Sequence, residues 1–192
     1  MVDAVIRPAV PADLKAVAEI NAHYVTHTVI TFEETPPVVA DWERKLADLA
    51  ERGLPFLVAD AGGAGGGAGS GVGSGVGSGT AGGVGGGVVG YAYAGPWRSK
   101  PAYRHTVEDS IYLAPGHTGR GLGAALLGEL VTRAAAAGMR RMIAVIADAG
   151  DDRSMALHRR FGFTEAGRLA EVGYKHGRWI DTTLMQRALN AT

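Results

Sequence analysis

The stretch richest in chemical possibility is "GHTGRGLGAALL", residues 116–127. Glycines at 119, 121 and 123 let a backbone approach a ligand closely. The apolar repeat Leu122, Leu126, Leu130 and Ala134 then marks a helix whose free N–H groups and dipole suit an anion such as a pyrophosphate. A Walker A loop shares the spacing from Gly116 to Gly121, but Leu122 and Gly123 stand where its lysine and Ser/Thr belong. Gly119, Gly121 and Ala124 also satisfy G-x-G-x-x-A, the dinucleotide fingerprint, and Asp148 closes the next strand as a ribose-binding acid does. That fingerprint belongs on the first strand of its unit, whereas three strands and two helices precede this one. A glycine-rich helix start without a ligand is the remaining reading.

Other candidates are dispersed. Glu108, in "TVEDSIYL", is either an exposed strand carboxylate, a partner for substrate charge, or a base. His158, in "SMALHRRFGF", is either a packing residue beside Phe161 or a proton carrier, since an imidazole titrates at about 6.5. His23 and His27 stand four apart, as helical zinc ligands do, but no glutamate follows His23 and no third ligand is evident, so no metal site is expected. The chain has no cysteine, which removes disulfides and thiolate chemistry together.

These residues need elements to hold them. Val2 to Arg7 reads as a strand, ended by Pro8 and Pro11 before a helix from Ala12 to about Val25. A second helix, Val38 to Arg52, places Val38, Trp42, Leu46 and Leu49 on one face and stops at Gly53. Pro55–Asp60, Val88–Gly95 and Thr106–Leu113 are strands. The glycine turn and its helix, closed by Gly138, follow, then the strand "RRMIAVIAD", a short helix from Ser154 to Phe161, and two strands around the turn "KHGRW". Strands alternating with helices around a mixed sheet give an α/β fold.

The chain carries 192 residues, with 19 basic against 19 acidic side chains. Zero net charge argues against nucleic acid or an acidic membrane as the main partner. No run reaches the length of a membrane span and the first residues do not form a signal peptide, so a cytoplasmic location is expected. Sixteen of the 30 glycines fall between Gly62 and Gly87. With GVGS units repeating there and nothing large to bury, that window reads as a flexible insertion at the tip of a β-hairpin.

Five separated segments in order, "IRPAVPADLKAVAEI", "AGPWR" with "TVEDSIYL", "LAPGHTGRGLGAALL", "SMALHRRFGF" and "VGYKHGRWIDTTLMQ", together resemble the GNAT superfamily of N-acetyltransferases, specifically its phosphinothricin acetyltransferase branch. The resemblance spans nearly all of the chain outside the glycine window. It implies one GNAT domain over 1–192, with a mixed, mostly antiparallel sheet flanked by helices. It further implies acetyl-CoA as co-substrate, no metal, and a homodimer.

The resemblance also assigns residues. Ile111, Tyr112 and Leu113 are expected along the pantetheine arm, and Gly119, Arg120, Gly121, Leu122, Gly123 and Ala124 around the pyrophosphate. Ser154 and Asp151 are expected near the cofactor, Asp151 standing where the family has asparagine and Thr118 where it has glutamine or arginine. Glu108 is the implied base, the Leu113 amide the carbonyl polariser and His158 the implied acid. Phe32, Trp97, Arg98 and Tyr103, with Arg104, are expected around the acceptor, a small L-amino-acid analogue such as phosphinothricin, methionine sulfone or methionine sulfoximine. Acetylation of a protein N-terminus and a non-catalytic acyl-CoA-binding module are the alternatives.

Overall fold

The computed structural model describes residues 4–62 and 87–189. Its strands are β1 (Val5–Pro8), β2 (Phe56–Asp60), β3 (Val88–Pro96), β4 (Thr106–Leu113), β5 (Arg141–Ala147), β6 (Thr164–Lys175) and β7 (Arg178–Ala188). The helices are α1 (Leu14–His27), α2 (Val39–Glu51), α3 (Leu122–Ala136) and α4 (Arg153–Arg160), with single turns at Pro11–Asp13 and Pro101–Tyr103. The expected elements are all present, their ends moving by a few residues at most.

The strands form one sheet in the order β1-β2-β3-β4-β5-β7-β6. Every neighbouring pair is antiparallel except β4 and β5, which α3 connects, as a parallel pair requires a crossover. The parallel ladder is short. It pairs Thr106, Val107 and Glu108 with Arg141, Met142 and Ile143, after which β4 keeps only β3 and β5 keeps only β7. The sheet is therefore forked from Asp109 onward.

Alternation along the strands assigns the helices to faces. A side chain at Gly90 would meet Leu126 of α3, whereas its neighbour Tyr91 packs edge-on against Trp42 of α2. Leu126, Leu127, Leu130 and Ala134 are fully buried on the α3 face, each leucine contributing roughly 2 kcal/mol. Trp42, Phe56, Tyr91 and Tyr93 form an aromatic cluster on the other face. The apolar face expected of α2 holds at Trp42 and Leu49, but Val38 is exposed because it precedes the helix as its cap.

Asp60 pairs with Val88, and the Ala61 amide donates to the Gly87 carbonyl at 2.6 Å, so β2 and β3 close as a hairpin where the glycine window enters and leaves. The expectation of a flexible insertion concerns residues 63–86, outside the described residues.

Candidate active site

The fork in the sheet is lined on one side by bare strand backbone. The Ala114 amide donates to Val89 at 2.8 Å, which sets the phase of the β3/β4 ladder. By alternation the amides and carbonyls of Asp109, Ile111 and Leu113 face the fork, where β5 has withdrawn. The Leu113 carbonyl accepts a hydrogen bond from Tyr24 Oη of α1 at 2.5 Å, fixing the strand end against that helix.

Immediately beyond, the chain makes the glycine turn. Gly119 and Gly121 hold φ angles of 76° and 81°, a region that residues with a side chain rarely enter. Gly121 caps α3, and the Ala125 amide is the first with an intrahelical acceptor, the Gly121 carbonyl at 3.0 Å. The amides of Leu122, Gly123 and Ala124 thus have no partner within the helix. Arg120 and Thr118 are exposed beside them. A strand edge running straight into an anion-binding helix start is a donor set that fits a pantetheine arm ending in a pyrophosphate. Acetyl-CoA has that form.

Asp151 lies just before α4 and Ser154 in its first turn, on the helix that reaches β4 through His158 and Asp109. Both Asp151 oxygens are engaged by Arg153, the backbone amide at 3.1 Å and the guanidinium at 2.7 Å, which holds the carboxyl below its ordinary range. Asp151 therefore bonds the first residue of α4 from just outside the helix. The Ser154 side chain is exposed, while its carbonyl accepts from His158 Nδ1 at 2.7 Å.

Glu108 occupies the last rung of the parallel ladder and points to the α1/α2 face, with Ser110 and Tyr112. It is half-buried. Burial raises its carboxyl above the ordinary range and the neighbouring Asp109 charge adds to this, while Arg98 and Lys45 oppose it. Lys45, on α2, donates to Tyr93 Oη at 2.9 Å with its ammonium over the Trp42 and Tyr93 rings. Arg98 lies over the Trp97 ring at 4.6 Å. Tyr103 and Arg104 are exposed, and Arg104 bonds back to the Pro101 carbonyl at 3.2 Å.

The loop after α1 covers the same face from the other direction. The Phe32 ring lies so close to Gly173 of β6 that a Cβ there would sit 2.4 Å from it. Buried Lys175 donates to the Thr31 carbonyl at 2.8 Å. Phe32 thus lies against β6, whereas Trp97 follows directly on β3. The two rings make no mutual contact among the described aromatic pairs. A separate groove of about 450 Å³, lined by Leu46, Leu54, Phe56 and Arg133, touches none of the expected site residues.

His158, the expected proton donor, lies within α4. Its ring is buried at 4% exposure, with Nδ1 on the Ser154 carbonyl and Nε2 on Asp109 Oδ2 at 3.0 Å. Burial pulls its pKa down, but the Asp109 hydrogen bond and charge outweigh that and leave it above the ordinary histidine value. Both nitrogens are already in use.

Tyr24, Thr31, Lys45, Asp109 and Lys175 were not singled out from the sequence. Asp109 had a legible signal, an acid at a core-facing position between Val107 and Ile111, which calls for a cationic partner. The others owe their place to contacts far apart in the chain. Among the described residues no group of three or more His, Asp or Glu is arranged to hold a metal, and the His23 and His27 rings lie 5.2 Å apart without a third ligand.

The model of the acetyltransferase (GNAT) family matches residues 76–163. The chain is 40% identical to a phosphinothricin N-acetyltransferase of Alcaligenes faecalis over 93% of this chain and 79% of that protein. It is 37% identical to an L-methionine sulfoximine/L-methionine sulfone acetyltransferase of Pseudomonas aeruginosa over 97% of this chain and 95% of that one. Among solved structures, a phosphinothricin acetyltransferase of Sinorhizobium meliloti in complex with acetyl-CoA superposes with a TM-score of 0.80 at 42% identity, covering 98% of this chain and 89% of the other.

Proposed function

Because the chain belongs to the acetyltransferase (GNAT) family, in its phosphinothricin acetyltransferase-like branch, we propose that it acetylates the amino group of a small L-amino-acid analogue, of the phosphinothricin, methionine sulfone or methionine sulfoximine type. It is an N-acetyltransferase and acetyl-CoA is its donor. The observation that carries the proposal is the place of Glu108, half-buried on the last rung before the fork, one residue from the free strand edge.

Acetyl-CoA supplies an activated thioester. The amides from Gly119 to Ala124, with Arg120, hold its pyrophosphate, and the backbone of Ile111, Tyr112 and Leu113 runs along its pantetheine. Ser154 and Asp151 border that arm from α4. The Leu113 amide faces the fork and polarises the thioester carbonyl, a donor that strengthens as negative charge gathers on the oxygen. Glu108 accepts the ammonium proton, directly or through water, and so frees the nitrogen to attack. Its raised pKa brings a carboxylate nearer to the basicity that this task requires. His158 is the residue assigned to the departing thiolate by resemblance, although both its nitrogens are already bonded.

Arg98 and Tyr103 receive the acceptor's carboxylate, with Phe32 and Trp97 as apolar walls. Lys45 adds a second cation within reach of Glu108. The whole chain acts as one domain, as a cytoplasmic homodimer. Among the described residues no helix is long and apolar enough to cross a membrane, and the β6/β7 hairpin exposes Tyr174 and Trp179 side by side, apolar surface that a second copy would cover.

The test is thiol release from acetyl-CoA with a panel of acceptors, the three amino-acid analogues beside a peptide with a free N-terminus. Release with an analogue and not the peptide supports the proposal. Release with the peptide alone makes the chain a protein acetyltransferase, and retention of acetyl-CoA without release makes it a binding module.

A further inference from the structure

We propose that Asp109 is a positioning residue for acetyl transfer: with His158 it forms a buried carboxylate–imidazolium couple that pins α4 to β4 at the fork. The effect on catalysis rests on the reading of the fork as the acetyl-CoA cleft. The couple itself does not.

A carbonyl only accepts, so the 2.7 Å contact with Ser154 places a proton on His158 Nδ1. The other nitrogen then meets Asp109 Oδ2 at 3.0 Å, and a second ring proton gives that contact a charge-assisted hydrogen bond. Both side chains are over nine-tenths buried, so neither ionises cheaply without the other. Asp109 Oδ1 has no partner and is buried too, which makes the carboxylate still more dependent on His158.

Position gives the couple its task. Glu108 is the last β4 residue paired to β5, and Asp109, the next, turns to the opposite face and reaches α4. His158 is the one buried residue of that eight-residue helix, so it anchors the element that bears Ser154 and is entered from Asp151. Asp109, Arg98 after β3 and Lys45 on α2 act electrostatically on Glu108. His158 faces Asp109 from β4 and the edge of the apolar Phe163 ring, 5.0 Å away, ahead of β6. With the couple intact, Glu108 has a neutral pair next to it. Without His158, Asp109 has no partner and α4 loses its one buried anchor.

Two measurements on the full chain test this. Nitrogen-detected NMR of the imidazoles should show His158 protonated on both nitrogens well above about pH 6.5. A neutral ring titrating at or below that value overturns the couple, whether or not the protein acetylates anything. In kinetics, His158→Gln should raise the KM for acetyl-CoA by about tenfold or more, because α4 loses its buried hold on β4. The double variant Asp109→Asn with His158→Gln, which restores a neutral hydrogen-bonding pair, should return that KM toward wild type whatever happens to kcat. If the KM for acetyl-CoA is unchanged in the single variant, or stays raised in the double one, the positioning role is refuted. If no variant or wild type turns over while the NMR signature holds, the couple stands and the proposed function fails.

Discussion

In the proposed mechanism Glu108 is the base, and its environment predicts its behaviour. Burial disfavours its charged form, so the base form appears only at a pH above the ordinary glutamate range. The acidic limb of kcat/KM should accordingly lie above that range, with activity rising as pH rises through it. Glu108→Gln should cut kcat by about 10²–10⁴-fold while acetyl-CoA affinity changes little. The same substitution removes a carboxylate that is costly to keep charged, so thermal stability near neutral pH should hold or rise; a lower Tm would mean that Glu108 has a structural partner instead. At this scale the sequence was informative about residues in short motifs, such as the turn glycines, whose positive φ at 119 and 121 answers to their missing side chains. It was silent on Tyr24, Lys45 and Lys175, whose partners Leu113, Tyr93 and Thr31 are 48 or more residues away along the chain.

Two elements position the substrates, and each depends on a glycine for a different physical reason. At Gly121 the demand is conformational, because a Cβ at φ 81° is strained whatever the space around it. Gly121→Ala should cost roughly 1–3 kcal/mol by thermal or chemical unfolding and weaken acetyl-CoA binding, since the α3 start re-aims its amides. At Gly173 the demand is steric. Gly173→Val should push Phe32 off β6 and raise the KM for the acceptor, with acetyl-CoA affinity unchanged; equal losses for both substrates would show that the loop does not belong to the acceptor side. The elements were largely legible because helical spacing, glycine stops and strand alternation are local signals. The loop after α1 was not, since its docking on Gly173 and Lys175 joins segments 140 or more residues apart.

For the whole molecule, the forked sheet sets the proposed cofactor cleft beside the proposed acceptor side, and its mixed order followed from the alternation of strands and helices. The length of the parallel ladder did not, because three rungs at Thr106–Glu108 and a fork beyond them leave no mark in a strand that reads evenly to Leu113. The hairpin that closes at Ala61 and Gly87 bears on the glycine excess. Replacing residues 63–86 by a two-residue turn should leave acetyl-CoA binding and Tm intact, as calorimetry would show, and a loss of binding would give that segment a part in the site. The most direct measurement is the rate of thiol release from acetyl-CoA with saturating methionine sulfone or phosphinothricin, wild type against Glu108→Gln, from about pH 5.5 to 9. A wild-type rate that rises through an acidic limb and nearly vanishes in the variant is predicted; equal rates and equal pH profiles for the two proteins would contradict the account.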